Sequence, residues 1–114
     1  MDSDIKKVAI LGSTGSIGQQ ALDIIRAFPG RFQVIGLAAG ENLRLLKKQI
    51  CEFQPKVLYS SAEFDFAYKG EFLSMEQIAS HPEVNLLIVA TSGKVGYKNN
   101  EALVRTGKAV ALAN

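Results

Sequence analysis

The sequence is poor in residues that staple or ligate: it has no tryptophan, one histidine, one cysteine and three prolines among 114 residues. A lone Cys51 excludes an internal disulfide framework, and one histidine with one cysteine cannot complete a zinc site of the usual four-ligand kind. A reducing compartment is the simplest expectation. Charge of one sign is lacking too. Lys plus Arg number 13 against 11 Asp plus Glu, leaving +2 and no dense basic stripe, so nothing in the composition asks for nucleic acid or an anionic membrane as partner. Long hydrophobic runs are missing as well. The acidic start Met1-Asp2-Ser3-Asp4 leads into a short apolar stretch without the basic flank of a signal peptide or the length of a membrane span. With no Arg- and Ser-rich transit segment ahead of it, the expected location is the cytosol. What remains is 47% hydrophobic and 21% charged, close to the globular average and sufficient for a core. The length predicts one domain over residues 1–114, too short for a nucleotide domain plus a separate substrate domain.

Hydrophobic runs and helical patches alternate along the chain, with no Pro- or Ser-rich linker between them. Lys7 to Leu11 is a short, partly β-branched apolar run that stops at Gly12, as a strand buried on both faces does. Ile17, Ala21, Leu22, Ile24, Ile25 and Phe28 then recur at roughly helical spacing until the breaker pair Pro29-Gly30. Phe32 to Leu37 predicts a second strand. Asn42 to Phe53, with Leu43, Leu46, Ile50 and Phe53 on one face, predicts a second helix, and Lys56 to Ser60 a third strand. Between Ser61 and Gly70, Phe64, Phe66 and Tyr68 alternate with polar residues, which fits a loop or a short extra strand. Ser74 to Ile78 predicts a short helix capped by Ser74, with Gln77 at the capping-box position. Val84 to Ala90 is the strongest strand, followed by a helix around Asn100 to Arg105 that ends at Gly107. A last strand spans Ala109 to Leu112. This alternation predicts βαβ units with right-handed crossovers, and hence an α/β fold with an open, doubly wound parallel sheet.

Between the first strand and first helix stands Gly12-Ser13-Thr14-Gly15-Ser16-Ile17-Gly18, a G-x-x-G-x-x-G variant of the dinucleotide fingerprint. Glycines there serve a sharp turn, a close backbone approach of the pyrophosphate, and tight packing of helix on strand. The amides at the helix N-terminus, with the positive end of its dipole, cradle phosphate, and the hydroxyls of Thr14 and Ser16 add donors. The alternative is a plain strand-to-helix turn. A triplet that follows a strand, opens a helix and precedes a second strand favours the dinucleotide reading.

Two other places carry chemistry. The second strand ends in Leu37-Ala38-Ala39-Gly40-Glu41-Asn42, where a ribose is held in such folds. Gly40 and Asn42 can bring donors to it, Glu41 repels a 2′-phosphate unless it turns away, and Arg44 or Lys47 can supply the positive charge. The competing reading makes Asn42 a helix N-cap and the charges a solvated face. At the end of the fourth long strand, Ala90 to Tyr97 combines small residues with Lys94, either as ligand contacts in the crevice or as a simple turn built on Gly93 and Gly96.

Four stretches together carry a resemblance over essentially the whole chain. They are Ile10-Leu11-Gly12-Ser13-Thr14-Gly15-Ser16-Ile17-Gly18, Leu37-Ala38-Ala39-Gly40-Glu41-Asn42, Glu52-Phe53-Gln54-Pro55, and Arg105-Thr106-Gly107-Lys108 leading to Ala111-Leu112-Ala113-Asn114. In combination they resemble the N-terminal cofactor domain of the 1-deoxy-D-xylulose 5-phosphate reductoisomerases. The resemblance implies a Rossmann-like, single three-layer domain belonging to an NADPH-dependent oxidoreductase of non-mevalonate isoprenoid biosynthesis. Such an enzyme rearranges deoxyxylulose phosphate to an aldehyde and reduces it to 2-C-methyl-D-erythritol 4-phosphate, using Mg²⁺ or Mn²⁺. By position, the family's cofactor contacts fall on Thr14, Gly15, Ser16 and Ile17 around the pyrophosphate, on Gly40, Glu41 and Asn42 around the adenosine ribose, and on Asn114. No catalytic residue and no metal ligand is expected within this chain, because the family's acidic cluster lies in the domain that follows Leu-Ala-Asn. The resemblance implies deoxyxylulose phosphate as partner and a homodimer for the full-length protein, and an inactive fragment here.

The chain departs from the family at two places. Glu41 occupies a position commonly basic or small and polar, which leaves the preference between NADPH and NADH open. After Gly96, Tyr97-Lys98-Asn99-Asn100 replace a Pro-Thr pattern, so an asparagine cap starts the next helix in place of a proline. A non-catalytic dinucleotide-binding module is the alternative function; another reductase family sharing the glycine spacing is disfavoured by the later motifs. Cys51 is expected to pack as a small hydrophobe beside Ile50 and Phe53, His81 to lie in a surface loop, and Asp23 to pair with Arg26.

Overall fold

β1 (Lys6–Leu11) buries every side chain from Val8 to Leu11, which a strand does only when helices cover both faces of its sheet. The computed structural model describes residues 5–63, 67–90 and 109–112, the last four by their backbone. After β1 come α1 (Ser16–Ala27), β2 (Phe32–Ala39), α2 (Leu43–Phe53), β3 (Val57–Ser60), β4 (Glu71–Phe72), α3 (Met75–Ala79), β5 (Leu86–Val89) and β6 (Ala109–Leu112). The strands form one sheet in the order β4-β3-β2-β1-β5-β6, each described pair parallel. The chain first winds outward from β1 to β4, then crosses back to β5 and β6. The reversal falls between β1 and β5, the switch point at which open α/β sheets leave a crevice beyond their strands' C-terminal ends.

Two cores flank the sheet. Leu22 and Ile25 of α1 and Leu46 and Ile50 of α2 pack with Val8, Ile10, Val34, Leu37 and Leu58 on one face. Ile78 and Ala79 of α3 pack with Ala9, Leu11, Ile35, Val57 and Leu87 on the other. This is the three-layer, doubly wound arrangement expected from the alternating pattern. Residues of β2 would simply alternate between these faces but for one irregularity: Val8 pairs with Val34 and Ala9 with Gly36, so Ile35 is an extra residue. The bulge turns Ile35 and Gly36 towards the same layer. Space there is short, for a Cβ on Gly36 would lie 2.9 Å from Val57 Cγ2 and 3.0 Å from Ile78 Cγ2.

Local chemistry sets the helix ends. Asn42 caps α2 by accepting from Leu45 N at 3.2 Å. Ser74 Oγ accepts from Gln77 N at 3.0 Å while Gln77 Oε1 accepts from Ser74 N at 2.9 Å, completing the expected capping box of α3. α1 and α2 are tied on their outer side by Arg26, which bonds Asp23 of its own helix and Glu52 of α2 and lies 5.2 Å over the Phe53 ring. The hydrogen bond from Arg26 holds the Glu52 carboxyl below the usual carboxylate range.

The ambiguous stretch resolves just beyond its end: the extra strand is β4, two exposed residues pairing with β3. Tyr68 anchors it by donating to Pro55 O at 2.9 Å and by an edge contact with the Phe72 ring, 5.4 Å between centroids. β2 runs two residues further than the hydrophobic pattern suggested, and β5 is shorter than Val84 to Ala90. Of the apolar residues whose spacing predicts the first helix, Ile17, Ile24 and Phe28 are exposed. Cys51 is exposed and not packed, because the residue after the buried Ile50 is rotated about 100° around the helix. His81 is half-buried in its loop, with Nδ1 accepting from Glu83 N at 3.1 Å. Phe64, Phe66 and the expected helix around Asn100 to Arg105 lie outside the described residues.

Candidate functional site

The loop from β1 to α1 uses its three glycines in three ways. Gly12 has φ of 93°, a turn open to glycine at no steric cost, and its N–H and that of Ser13 both donate to Ala38 O of β2, at 2.7 and 3.0 Å. Gly18 is buried on the first turn of α1, where a Cβ would meet Gly12 O at 2.2 Å and Ser13 Cα at 2.7 Å; glycine is what lets the helix sit on the loop. Gly15 is different. Its backbone is extended, at φ −77° and ψ 173°, and a Cβ there would meet only Gly12 O, at 3.7 Å. Among the described residues nothing demands a glycine at this position.

Gly15 is also the N-cap of α1, and it offers no side chain to cap with. The first intrahelical bond is Gln19 N to Gly15 O, at 2.9 Å. The amides of Ser16, Ile17 and Gly18 precede it, and no acidic residue stands in that turn. α2 and α3 both carry side-chain caps. The start of α1 is therefore electropositive and rich in donors, the arrangement that suits an anion.

The N-cap Gly15 borders a cleft of about 320 Å³ lined also by Gly12, Thr14, Gly40, Tyr59 and Met75, among others. It lies beyond the C-terminal ends of β1, β2 and β3 and reaches Ala90 after β5, across the point where the strand order reverses. The small side chains of Ala38 and Ala39 at the end of β2 leave its floor open. Gly40 lines the cleft, and Glu41 and Asn42 follow it in the chain; all three are exposed. The cap uses Asn42 Oδ1, so its amide NH₂ is the group left to donate to a ligand. Of the sequence-selected residues, Thr14, Gly15 and Gly40 line the cleft, while Ser16, Ile17, Glu41 and Asn42 stand beside it in the chain. Arg44 and Lys47 lie on a separate exposed patch of α2 with Lys48 and Cys51. Lys94 and Asn114 fall outside the described residues.

Sequence reasoning missed Tyr59, Ser61 and Met75, cleft walls supplied by β3, the loop after it and α3, because only the parallel stacking of strands brings these segments to one edge. It also missed Gln49, a buried polar residue of α2 whose Nε2 donates to Ser13 O at 2.9 Å; a polar residue among Leu46, Ile50 and Phe53 was the available signal. Among the described residues no three His, Cys, Asp or Glu side chains gather where they could hold a metal, so no step through a metal is derived from them. No helix among them is long and apolar enough to cross a membrane.

Comparison with known proteins agrees with this geometry. A family model described as 1-deoxy-D-xylulose 5-phosphate reductoisomerase matches residues 8–73. The enzyme of that name from Anaeromyxobacter sp. (strain K) is 43% identical over 96% of this chain, which spans 31% of that relative. The chloroplastic enzyme of Oryza sativa subsp. japonica is 37% identical over 96% of the chain, 26% of its own length. Among solved structures, a DOX-P reductoisomerase in complex with NADPH, fosmidomycin and magnesium superposes with a TM-score of 0.86 at 29% identity, covering 96% of this chain and 30% of that one. The Zymomonas mobilis enzyme in complex with NADPH gives 0.77 at 27% identity, covering 98% and 32%. The chain thus spans about a third of the length of the relatives it matches.

Proposed function

Because the chain belongs to the 1-deoxy-D-xylulose 5-phosphate reductoisomerase family, we propose that residues 1–114 are the NADPH-binding domain of such an enzyme. The observation that carries this is the bare, glycine-capped N-terminus of α1 facing a cleft at the switch point of the sheet. The residues fit the cofactor. The amides of Ser16 and Ile17, with Thr14 and Gly15, would hold the pyrophosphate; Gly40, Glu41 and Asn42 would hold the adenosine ribose, Glu41 through its backbone. Asn114 is proposed as a further contact on its position in the motif. When bound, NADPH supplies a hydride, and the role of these residues is to fix its phosphates and orient it.

The reaction itself, conversion of deoxyxylulose phosphate to methylerythritol phosphate in the non-mevalonate route to isoprenoids, belongs to the longer protein. There the partners are the small-molecule substrate and a second copy of the chain as a homodimer, with Mg²⁺ or Mn²⁺ held by residues beyond these. Nucleic acid and membrane are not proposed as partners, since charge is balanced and no basic stripe exists. The cytosol is the proposed compartment, in keeping with a single cysteine and no disulfide framework.

NADPH fluorescence titration of this chain tests the proposal. Saturable binding is expected in the parent, and Gly15→Val should remove it while far-ultraviolet circular dichroism stays unchanged. Unaltered binding in Gly15→Val would make the glycine loop a structural turn only, and absence of binding in the parent would overturn the proposal.

A further inference from the structure

Gln49 presents a long polar side chain in an apolar layer, between Leu46 and Ile50, and is 2% exposed. Burying an amide is costly unless its groups are used. Its Nε2 donates to the carbonyl of Ser13, 36 residues away and itself fully buried. Its Oε1 and Ser13 Oγ are buried with no hydrogen-bond partner among the described residues. A leucine would avoid the unpaired Oε1 but would leave the buried Ser13 carbonyl without the donor it has here, so the amide serves the loop and not the apolar layer.

The loop is thus clamped from two sides: Ala38 O takes the N–H groups of Gly12 and Ser13, and Gln49 takes the Ser13 carbonyl. Together they fix the plane of the peptide joining Ser13 to Thr14. That peptide is trans, as no cis bond occurs among the described residues, so its C=O and N–H point in opposite directions. With the carbonyl drawn in towards α2, the Thr14 N–H is turned outward from it.

We propose that Gln49 is a positioning residue for phosphate: by holding the Ser13 carbonyl it orients the Thr14 amide as a donor to the dinucleotide's pyrophosphate. The inference rests on the NADPH-binding reading above and deepens it. An outer partner that holds a ligating group in place costs roughly tenfold in affinity when removed.

The test uses Gln49→Met, which keeps the length and volume of the side chain but has no N–H. NADPH and 2′-AMP, which lacks a pyrophosphate, are titrated into parent and variant, and the Thr14 amide resonance is followed by NMR. The expected result is a roughly tenfold weaker Kd for NADPH, no change for 2′-AMP, and a shifted Thr14 amide. If NADPH affinity is unchanged, or both ligands weaken equally, Gln49 only supports the fold and the proposal falls. Should the methionine variant not fold, Gln49→Leu, which likewise has no N–H to offer and brings no charge into the layer, carries the same expectations. If the parent binds no NADPH, the functional reading fails, and an unmoved Thr14 amide would then separately refute the tie through Gln49.

Discussion

Replacing Gly18 by alanine separates the packing role of the glycine loop from its ligand role. The new Cβ would lie 2.2 Å from Gly12 O and 2.7 Å from Ser13 Cα, against the 3.4 Å or more of an ordinary contact, so α1 must retreat by about 1 Å. Both atoms belong to backbone that Ala38 O already holds, and the loop cannot give way as a flexible side chain would. Retreat of α1 loosens Leu22 and Ile25 from Val8, Ile10 and Leu37 across the interface. Overpacking of this kind costs about 3 kcal/mol at the upper end of its usual range, offset by about 1 kcal/mol from alanine's better helix propensity. The net loss is about 2 kcal/mol, or roughly 8 °C in Tm for a domain of this size. Urea and thermal unfolding of parent and variant measure it. A Gly18→Ala chain as stable as the parent would refute the reasoning, because it would mean that the close approach of helix to loop is not constrained.

Two further outcomes are expected. Glu41→Lys replaces an exposed carboxylate next in the chain to the cleft residue Gly40 by a cation, and should raise affinity for NADPH more than for NADH, by roughly the tenfold that one new charge-assisted bond brings; equal effects on both cofactors would place Glu41 away from the 2′-phosphate. Burial pushes the Tyr68 hydroxyl up to about 12 from its ordinary 10.0. The unfolded chain therefore ionises first: the stability Tyr68 contributes is whole below pH 10 and is lost as pH rises towards 12. Urea midpoints of the parent should fall more steeply than those of Tyr68→Phe between about pH 10 and pH 11, and parallel slopes would sink this account.

Local features were legible because their chemistry is local. The buried run of β1, the glycine spacing and the Ser74-Gln77 capping box all announce themselves within a few residues, and alternation of strand and helix was enough for the sheet's class. What escaped depends on distance along the chain or on an element too short to carry a pattern. β4 is two exposed residues held by pairing with β3 and by Tyr68. The bulge at Ile35 is visible only against the register of β1. Asn42 had two competing readings, cap or ribose donor, and its atoms divide between them: the oxygen caps α2, which leaves the NH₂ for a ligand. The Gln49 tie joins residues 36 apart, and no local pattern in the sequence pairs them.

The same geometry implies that the start of α1 forgoes stability to keep its amides available, and Gly15→Ser tests this directly. Gly15 sits at φ −77° and ψ 173°, nearly the backbone of the working cap Ser74 at φ −71° and ψ 165°, and among the described residues its Cβ position is clear but for Gly12 O at 3.7 Å. A serine can therefore enter without strain and accept from an amide of the first turn. The cap adds a few tenths of a kcal/mol over glycine, and the stiffer unfolded chain adds about 0.4–1 kcal/mol. The free variant should accordingly be more stable than the parent by about 1 kcal/mol, or roughly 4 °C in Tm. Its hydroxymethyl group, however, would occupy the approach to the amides and compete for one of them, so NADPH binding should weaken by at least roughly tenfold, the value of one charge-assisted bond. Melting curves and fluorescence titrations on the same preparations read both quantities. A variant that gains stability and binds NADPH as the parent does would show that the ligand does not use the start of α1; one that loses stability would show that the glycine answers to the fold.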